Sequence, residues 1–326
     1  MTLSELRYLV AVADLRHFGH AAERCHITQS TLSTQLRKLE DFLGITLFER
    51  TSRPVTVTPI GESIVIRARR IIEEADQICD LARQNEGLLT STLKLGIIPT
   101  LSPYLLPLFL EDLHRAHPQL HVVLREDLTA NLIDALAAYE VDVLLLALPE
   151  DVHGLHALPL FNEPFWLAFP AGDPLRERTA VTEQDLVAHK LLLLAEGHCL
   201  RGQALAVCGQ ASRKNHSAPD VLRANSLETL CAMVAAGLGC TLLPALAVPR
   251  LVAGGSGVEA RPFQASGAHR GVGLLWRMAF PRSDDLVALG RFIQERLPPE
   301  LRPAGRKGTP PSGKPVRGPL SQPVEA

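Results

Sequence analysis

Apolar residues in the first sixty positions recur at helical spacing in short bursts. Leu3, Leu6, Leu9 and Val10 share a face behind Thr2 and Glu5, a pair spaced to cap each other's amides, so a helix starts there. Ala21 and Ala22 mark a second short helix. After a turn near His26 and Ile27, Thr28 is placed to cap a third, whose buried stripe is Leu32, Leu36 and Leu39. Leu47-Phe48-Glu49-Arg50 and Val55-Thr56-Val57 then read as two strands joined by Thr51-Ser52-Arg53-Pro54. From Pro59, with Thr58 as cap, a much longer helix begins. Its Ile60, Ile64, Ala68, Ile71, Ala75, Ile78 and Ala82 alternate steps of four and three, a narrow seam that predicts packing on a second copy of the chain.

After Gly87 the pattern changes to short apolar strands alternating with helices, which predicts an α/β region with a largely parallel sheet. Strands are expected over Leu93–Ile98, Val122–Arg125, Val141–Leu146, Phe165–Phe169 and Cys240–Leu243. Helices are expected over Pro103–His117, Ala130–Tyr139 and Leu227–Ala236, the last capped by Ser226 and closed by Gly237. The fold class is therefore α+β multidomain: residues 1–58 a winged helix-turn-helix, 59–89 a linker and dimerisation helix, and 90–297 an effector region. The segment 298–326, rich in Pro, Gly, Lys and Arg, is expected to be disordered.

The third helix carries the first candidate chemistry. Its stripe leaves Gln29, Ser30, Thr31, Ser33, Thr34 and Arg37 outward: amide, hydroxyl and guanidinium groups of the kind that read base edges and phosphates in a major groove. Arg50 and Arg53, near the tip of the strand pair, are placed to reach backbone phosphates. The run from Ala21 through Cys25-His26-Ile27-Thr28-Gln29-Ser30-Thr31-Leu32-Ser33 to Leu39-Glu40, with Leu47-Phe48-Glu49-Arg50-Thr51, resembles the N-terminal domain of LysR-type regulators. Many members have proline where Ser30 stands, which presets the first turn and leaves the docking mode intact. The resemblance implies a two-subdomain effector module like the periplasmic binding proteins. It also implies double-stranded operator DNA and RNA polymerase as partners, and assembly from homodimer to homotetramer.

Composition adds limits. The 326 residues, 46% hydrophobic and 21% charged, suffice for two or three compact domains, while a net charge of −2 gives no whole-chain basic signal for nucleic acid. Even Leu191–Ala195 is flanked by Lys190 and Glu196, so no membrane span is expected. The start lacks the basic flank and apolar stretch of a signal peptide, making the cytoplasm the expected compartment. There the six cysteines, Cys25, Cys79, Cys199, Cys208, Cys231 and Cys240, rest reduced. Cys231 and Cys240 lie on apolar runs and read as core residues; Cys25 and Cys79 belong to the helix-turn-helix and the linker. No cysteine-histidine grouping has metal-site spacing, so no metal or other cofactor is expected.

Cys199 stands apart. Gly197 reads as a turn, and a short alanine-rich helix follows from about Cys199 to before Gly209. A helix N-terminus, the adjacent His198 and nearby Arg201 all favour a thiolate, provided that the imidazole is protonated or donates a hydrogen bond. Gly197-His198-Cys199-Leu200-Arg201, Cys208, Ser226-Leu227-Glu228-Thr229-Leu230, Met233 to Gly237 and Leu242-Leu243-Pro244 to Pro249 resemble the peroxide-sensing branch of the LysR-type regulators, from the N-terminus to about Leu297. That resemblance implies oxidation of Cys199 by hydrogen peroxide to a sulfenic acid, its resolution by Cys208 to an intramolecular disulfide, and activation of antioxidant genes. It further implies a peroxide pocket of Thr100, Thr129 and His198. In a helix, two cysteines nine positions apart lie roughly 13 Å apart, against the roughly 7 Å a disulfide allows. Bond formation would therefore unwind or relocate the segment.

Relatives often carry acidic residues where this chain has Ala195 and Gly202. Losing that charge eases thiolate formation, and Gly202 weakens the helix. A reduced state that switches more readily is therefore expected. Two other readings stay open: a LysR-type regulator of a small organic effector with incidental cysteines, separable by Cys199→Ser, and a thiol peroxidase or oxidoreductase. Against the enzyme stand the missing Cys-x-x-Cys motif and a whole domain devoted to DNA.

Overall fold

The computed structural model describes residues 1–49, 54–82, 89–148, 154–208 and 224–303, without the side chains of 77 and 79–82. Thr2 and Glu5 form the expected capping box at the start of α1 (Leu3–Leu15), each side chain accepting from the other's amide at 3.2 and 2.7 Å. Helices α2 (Phe18–Arg24) and α3 (Gln29–Leu43) cross closely because Ala21 and Ala22 are buried between them and α1. Thr28 caps α3 by accepting from the Thr31 amide at 3.2 Å. Strands β1 (Phe48–Glu49) and β2 (Thr56–Val57) pair antiparallel.

The long helix α4 (Pro59–Ala82) departs from the expected seam. Val65 and Ala68 are buried in the core of the DNA-binding domain, with Ile64 and Ile72 packed against it, whereas Ile60, Ile71 and Ile78 are 51%, 43% and 69% exposed. One edge of the stripe is satisfied by its own domain. The other edge, returning every seven or eleven residues, stays open.

In the effector region β3 (Thr92–Ile97), β4 (His121–Glu126) and β5 (Val143–Ala147) are parallel, with α5 (Ser102–Ala116) and α6 (Thr129–Ala137) as crossovers. The largely parallel expectation ends there. The 16-residue β6 (Leu155–Pro170) and β10 (His269–Arg277) are antiparallel to each other, and β10 is antiparallel to β5. Strands β8 (Thr241–Pro244) and β9 (Val258–Gln264) also join β6 antiparallel, while β7 (Val181–Thr182) pairs parallel with β9. The order is β4-β3-β5-β10-β6-β9-β7, with β8 on β6.

Two cores lie along this sheet. One holds β3, β5, β10 and α10 (Ser283–Arg296); the other holds the second half of β6, α7 (Cys199–Val207), α8 (Leu227–Ala235) and β8, while a single-turn α9 (Val248–Leu251) packs against its edge. Because β6 contributes Leu160 and Phe161 to the first and Phe165 to Phe169 to the second, it is the physical link between subdomains. Helix α6 approaches β3 so closely that a Cβ at Gly96 would lie 2.7 Å from Leu144 Cδ2 and 2.9 Å from Leu132 Cδ2.

Order also continues past Leu297, where a tail was expected: Pro299–Leu301 forms a 3-10 turn and Leu301 joins the first core. Apolar burial decides this local outcome against composition. Residues 304–326 lie outside the described residues, and among those described no helix is long and apolar enough to cross a membrane.

Candidate functional site

Helix α3 presents Gln29, Ser30, Thr31, Thr34 and Arg37 to solvent, opposite buried Leu32, Leu36 and Leu39; Ser33 is half-buried at the edge of that face. Lys38, also exposed, follows Thr34 by four residues and extends the polar face; helical spacing carried that signal, and the sequence reading missed it. The hydroxyls are already ordered, with Thr28 Oγ1 within 3.0 Å of Ser30 Oγ and 2.8 Å of Thr31 Oγ1, while Thr34 Oγ1 donates to Ser30 O at 2.8 Å. Arg50 and Arg53 lie outside the described residues.

The second site is built where α7 begins. Gly197 sits at φ +94°, and an added Cβ would fall 2.8 Å from Leu128 Cδ1, so only glycine suits this turn. The turn sets His198 as N-cap and half-buried Cys199 as the first residue of α7. Beside Cys199 a recess of about 470 Å³ lies between Thr129, Ala130 and Ile133 of α6 and His198, Cys199 and Leu205 of the α7 segment. Thr129 Oγ1 is buried there with no hydrogen-bond partner among the described residues. Leaving such a group unmet costs about 1–3 kcal/mol, so the hydroxyl is a candidate donor to a molecule in the recess. It is not a helix cap, since Leu128 occupies that position.

Thr100 does not line this recess. It is 3% exposed, its hydroxyl oxygen accepts from Arg270 Nη1 at 3.0 Å, and its carbonyl accepts from Nη2 at 3.1 Å. Arg270 Nε donates to Glu163 Oε2 at 2.8 Å, and Glu163 Oε1 accepts from the Leu246 amide at 2.8 Å. Both ionic side chains are 0% exposed. With its oxygen accepting from Arg270, the Thr100 hydroxyl keeps its own proton to donate. The sequence reading missed this pair because its members lie 107 positions apart.

Of the two conditions set on His198, the lowered pKa favours the second. Burial pushes the imidazole below its ordinary value of 6.5, so near neutral pH it is uncharged and carries one donor and one acceptor nitrogen. The Arg201 guanidinium donates to Leu194 O at 3.0 Å. The helix N-terminus remains as a fixed positive partial charge at Cys199.

Cys208 occupies the C-cap of the same helix, fully buried. Burial, then the nearby Glu183 charge, pushes its thiol up to about 12. Both cysteines are free thiols, at opposite ends of nine helical residues, so their backbones are separated by roughly 13 Å. Cys231 and Cys240 are buried in the second core, their thiols pushed up chiefly by burial to about 11 and about 12. Cys25 is partly buried against the core of the DNA-binding domain, and the Cys79 side chain lies outside the described residues.

Comparison with known proteins agrees along the chain. Residues 3–62 match the bacterial regulatory helix-turn-helix protein, lysR family, and residues 86–298 match the LysR substrate binding domain. The DNA-binding transcriptional dual regulator OxyR of Escherichia coli K12 is 41% identical over 297 residues, 91% of this chain and 96% of that protein. A hydrogen peroxide-inducible genes activator of Dickeya chrysanthemi is 45% identical over 250 residues, 77% of this chain and 81% of its own. Among solved structures, a full-length cysteine-to-aspartate variant of OxyR from Pseudomonas aeruginosa superposes with a TM-score of 0.78 at 39% identity, covering 95% of this chain and 99% of that one. A hydrogen peroxide-bound cysteine variant of OxyR from Corynebacterium glutamicum gives 0.61 at 34% identity, covering 90% and 94%. The chain belongs to the LysR family of bacterial transcription regulators, within its OxyR branch.

Proposed function

We propose that this chain is a DNA-binding transcription regulator that senses hydrogen peroxide through Cys199 and activates oxidative-stress defence genes. The observation that carries the reading is the placement of Cys199 and Cys208 at the two ends of α7, with Cys199 beside a recess holding the unpartnered Thr129 hydroxyl. The Cys199 sulfur, deprotonated with neutral His198 as acceptor, attacks one peroxide oxygen. The O–O bond breaks, the leaving oxygen takes a proton and departs as water, and Cys199 becomes a sulfenic acid. Thr129 and Thr100 are the hydroxyl donors for the peroxide and its leaving oxygen.

Cys208 then attacks the Cys199 sulfur, a second water leaves, and a disulfide forms; two thiols have supplied the two electrons. While α7 is intact, Cys208 is buried, protonated and out of reach. Resolution therefore requires the helix to open, and that opening is the switch. The chain acts as a stoichiometric sensor, not an enzyme with turnover, and uses no metal or cofactor.

The outward face of α3, with Arg50 and Arg53 of the wing, reads double-stranded operator DNA. Ile60, Ile71 and Ile78 of α4 seat a second copy, homodimers pair into a homotetramer, and the assembly meets RNA polymerase in the cytoplasm. Thiol mapping by mass spectrometry after mild hydrogen peroxide, beside mobility shifts of the same samples on DNA selected by the reduced protein, tests the reading. A Cys199–Cys208 bond with altered DNA contacts is expected, absent in Cys199→Ser. Free thiols after treatment, or a bond without any change in DNA contacts, would sink it.

A further inference from the structure

A polar cleft of about 520 Å³ lies where the DNA-binding domain, α4 and the effector region meet, and charged contacts join its walls. Arg69 of α4 reaches Asp14 of α1 at 2.6 Å and Glu140, just after α6, at 3.2 Å with the same nitrogen. Glu73, one turn on, receives Arg277 Nη2 at 2.6 Å. Arg277 closes β10 and is held on every side: Nη1 donates to Leu136 O and Val141 O, both at 2.7 Å, and the guanidinium lies 4.3 Å over the Tyr139 ring. Arg69 and Arg277 are 13% and 10% exposed, so these are not freely solvated surface pairs.

The elements that carry these grips run to the redox site. Helix α6 starts at Thr129, in the recess beside Cys199, and ends at Leu136 to Glu140, where Arg277 and Arg69 hold it. Strand β10 has Arg270, which grips Thr100, near one end and Arg277 at the other. A packed helix and a sheet strand shift as units, since a core interior does not absorb displacement. Movement of Thr129 or Thr100 therefore arrives at the same two side chains of α4.

We infer that Arg277–Glu73 and Arg69–Glu140 form an ionic latch that transmits the state of the Cys199 recess, through α6 and β10, to the linker helix and so to the DNA-binding domain. This rests on the peroxide-sensing reading above. Both grips belong to wider charge clusters: Glu140 is also held by Arg125 Nη1 at 2.5 Å, and Arg277 Nη2, 2.6 Å from Glu73 Oε1, lies 4.0 Å from Asp142 Oδ1.

The test uses the full chain and the Glu73→Gln/Glu140→Gln double variant, neither residue being part of the redox or DNA-contacting machinery. Disulfide formation after hydrogen peroxide is followed by thiol mapping, hydrogen exchange by peptides of residues 59–76, and affinity on a duplex selected from random DNA by the reduced parent. The parent is expected to form the bond, change exchange in 59–76 and change affinity. The double variant should form the bond at the parental rate, leave exchange in 59–76 unchanged, and bring the oxidised-to-reduced affinity ratio to about 1. A double variant that still transmits fully overturns the latch and leaves the sensor reading standing. A parent that forms no bond overturns both. Should the double variant fail to fold, the parent still decides: exchange that changes around Cys199 but not in 136–142 and 59–76 overturns the latch.

Discussion

Thr129 separates function from stability at a single atom. Its hydroxyl is buried and unpartnered, so replacing it by a methyl of the same shape removes an unmet polar group. Thr129→Val is expected to be as stable as the parent or more stable, by up to about 1–3 kcal/mol, while peroxide oxidation of Cys199 slows by roughly a hundredfold through loss of a donor. Calorimetry and stopped-flow thiol kinetics on the same samples check both signs, and a variant that loses stability as well would make Thr129 a structural residue. His198 adds a pH dependence. Its folded pKa is lowered, so the unfolded chain takes up the proton first, and its contribution is complete above pH 6.5 and lost as pH falls below it. The parent should therefore lose more stability than His198→Gln across that window, read by urea unfolding at a series of pH values. His198 and Cys199 were legible because adjacent residues at a helix start need no tertiary information; which charge state His198 holds stayed open in the sequence, because burial is set by α6, about seventy residues earlier in the chain.

At the scale of elements, α7 is a helix built to be opened. Gly202 is exposed and a Cβ there meets nothing within 4 Å, so Gly202→Ala adds helix propensity without a clash. The gain is about 1 kcal/mol, and if the disulfide requires the helix to unwind it belongs to the reduced state alone. The reduction potential should then rise by about 20 mV, read by equilibration against glutathione buffers, and Gly202→Asp reports the separate effect of charge. An unchanged potential would mean that α7 stays helical in the disulfide form. Helices with clean apolar periodicity and a capping residue, α1, α3 and α8, were readable within a residue or two. Strand β6 was half missed because Pro159 and Pro164 interrupt it, and β10 because Gly271 and Gly273 flank Val272 at a register shift between Val272 and Gly273. Gly273 is required there, a Cβ falling 2.5 Å from Leu158 O. Residues that read as breakers in sequence are here what lets two long strands run side by side between subdomains.

Across the whole molecule, that pair of strands is joined by a fully buried ion pair, and its cost decides what it is for. Glu163 and Arg270 are both 0% exposed, and such a pair adds little net stability over apolar residues of the same volume, whereas breaking it strands a charge. Arg270→Met should lose about 3–5 kcal/mol in urea unfolding. The double variant Glu163→Leu/Arg270→Met should recover part of that loss, because no unpaired charge remains although the Leu246 amide and the Thr100 carbonyl lose their partners. What it cannot recover is the donor pair on Thr100, whose hydroxyl and carbonyl both accept from Arg270. The double variant is therefore expected to be more stable than Arg270→Met yet slow in peroxide oxidation of Cys199. Parental kinetics in a stably folded double variant would reduce the pair to a structural tie between β6 and β10. Slow kinetics would show that a buried charge pair is kept at this crossing to hold one hydroxyl in one orientation.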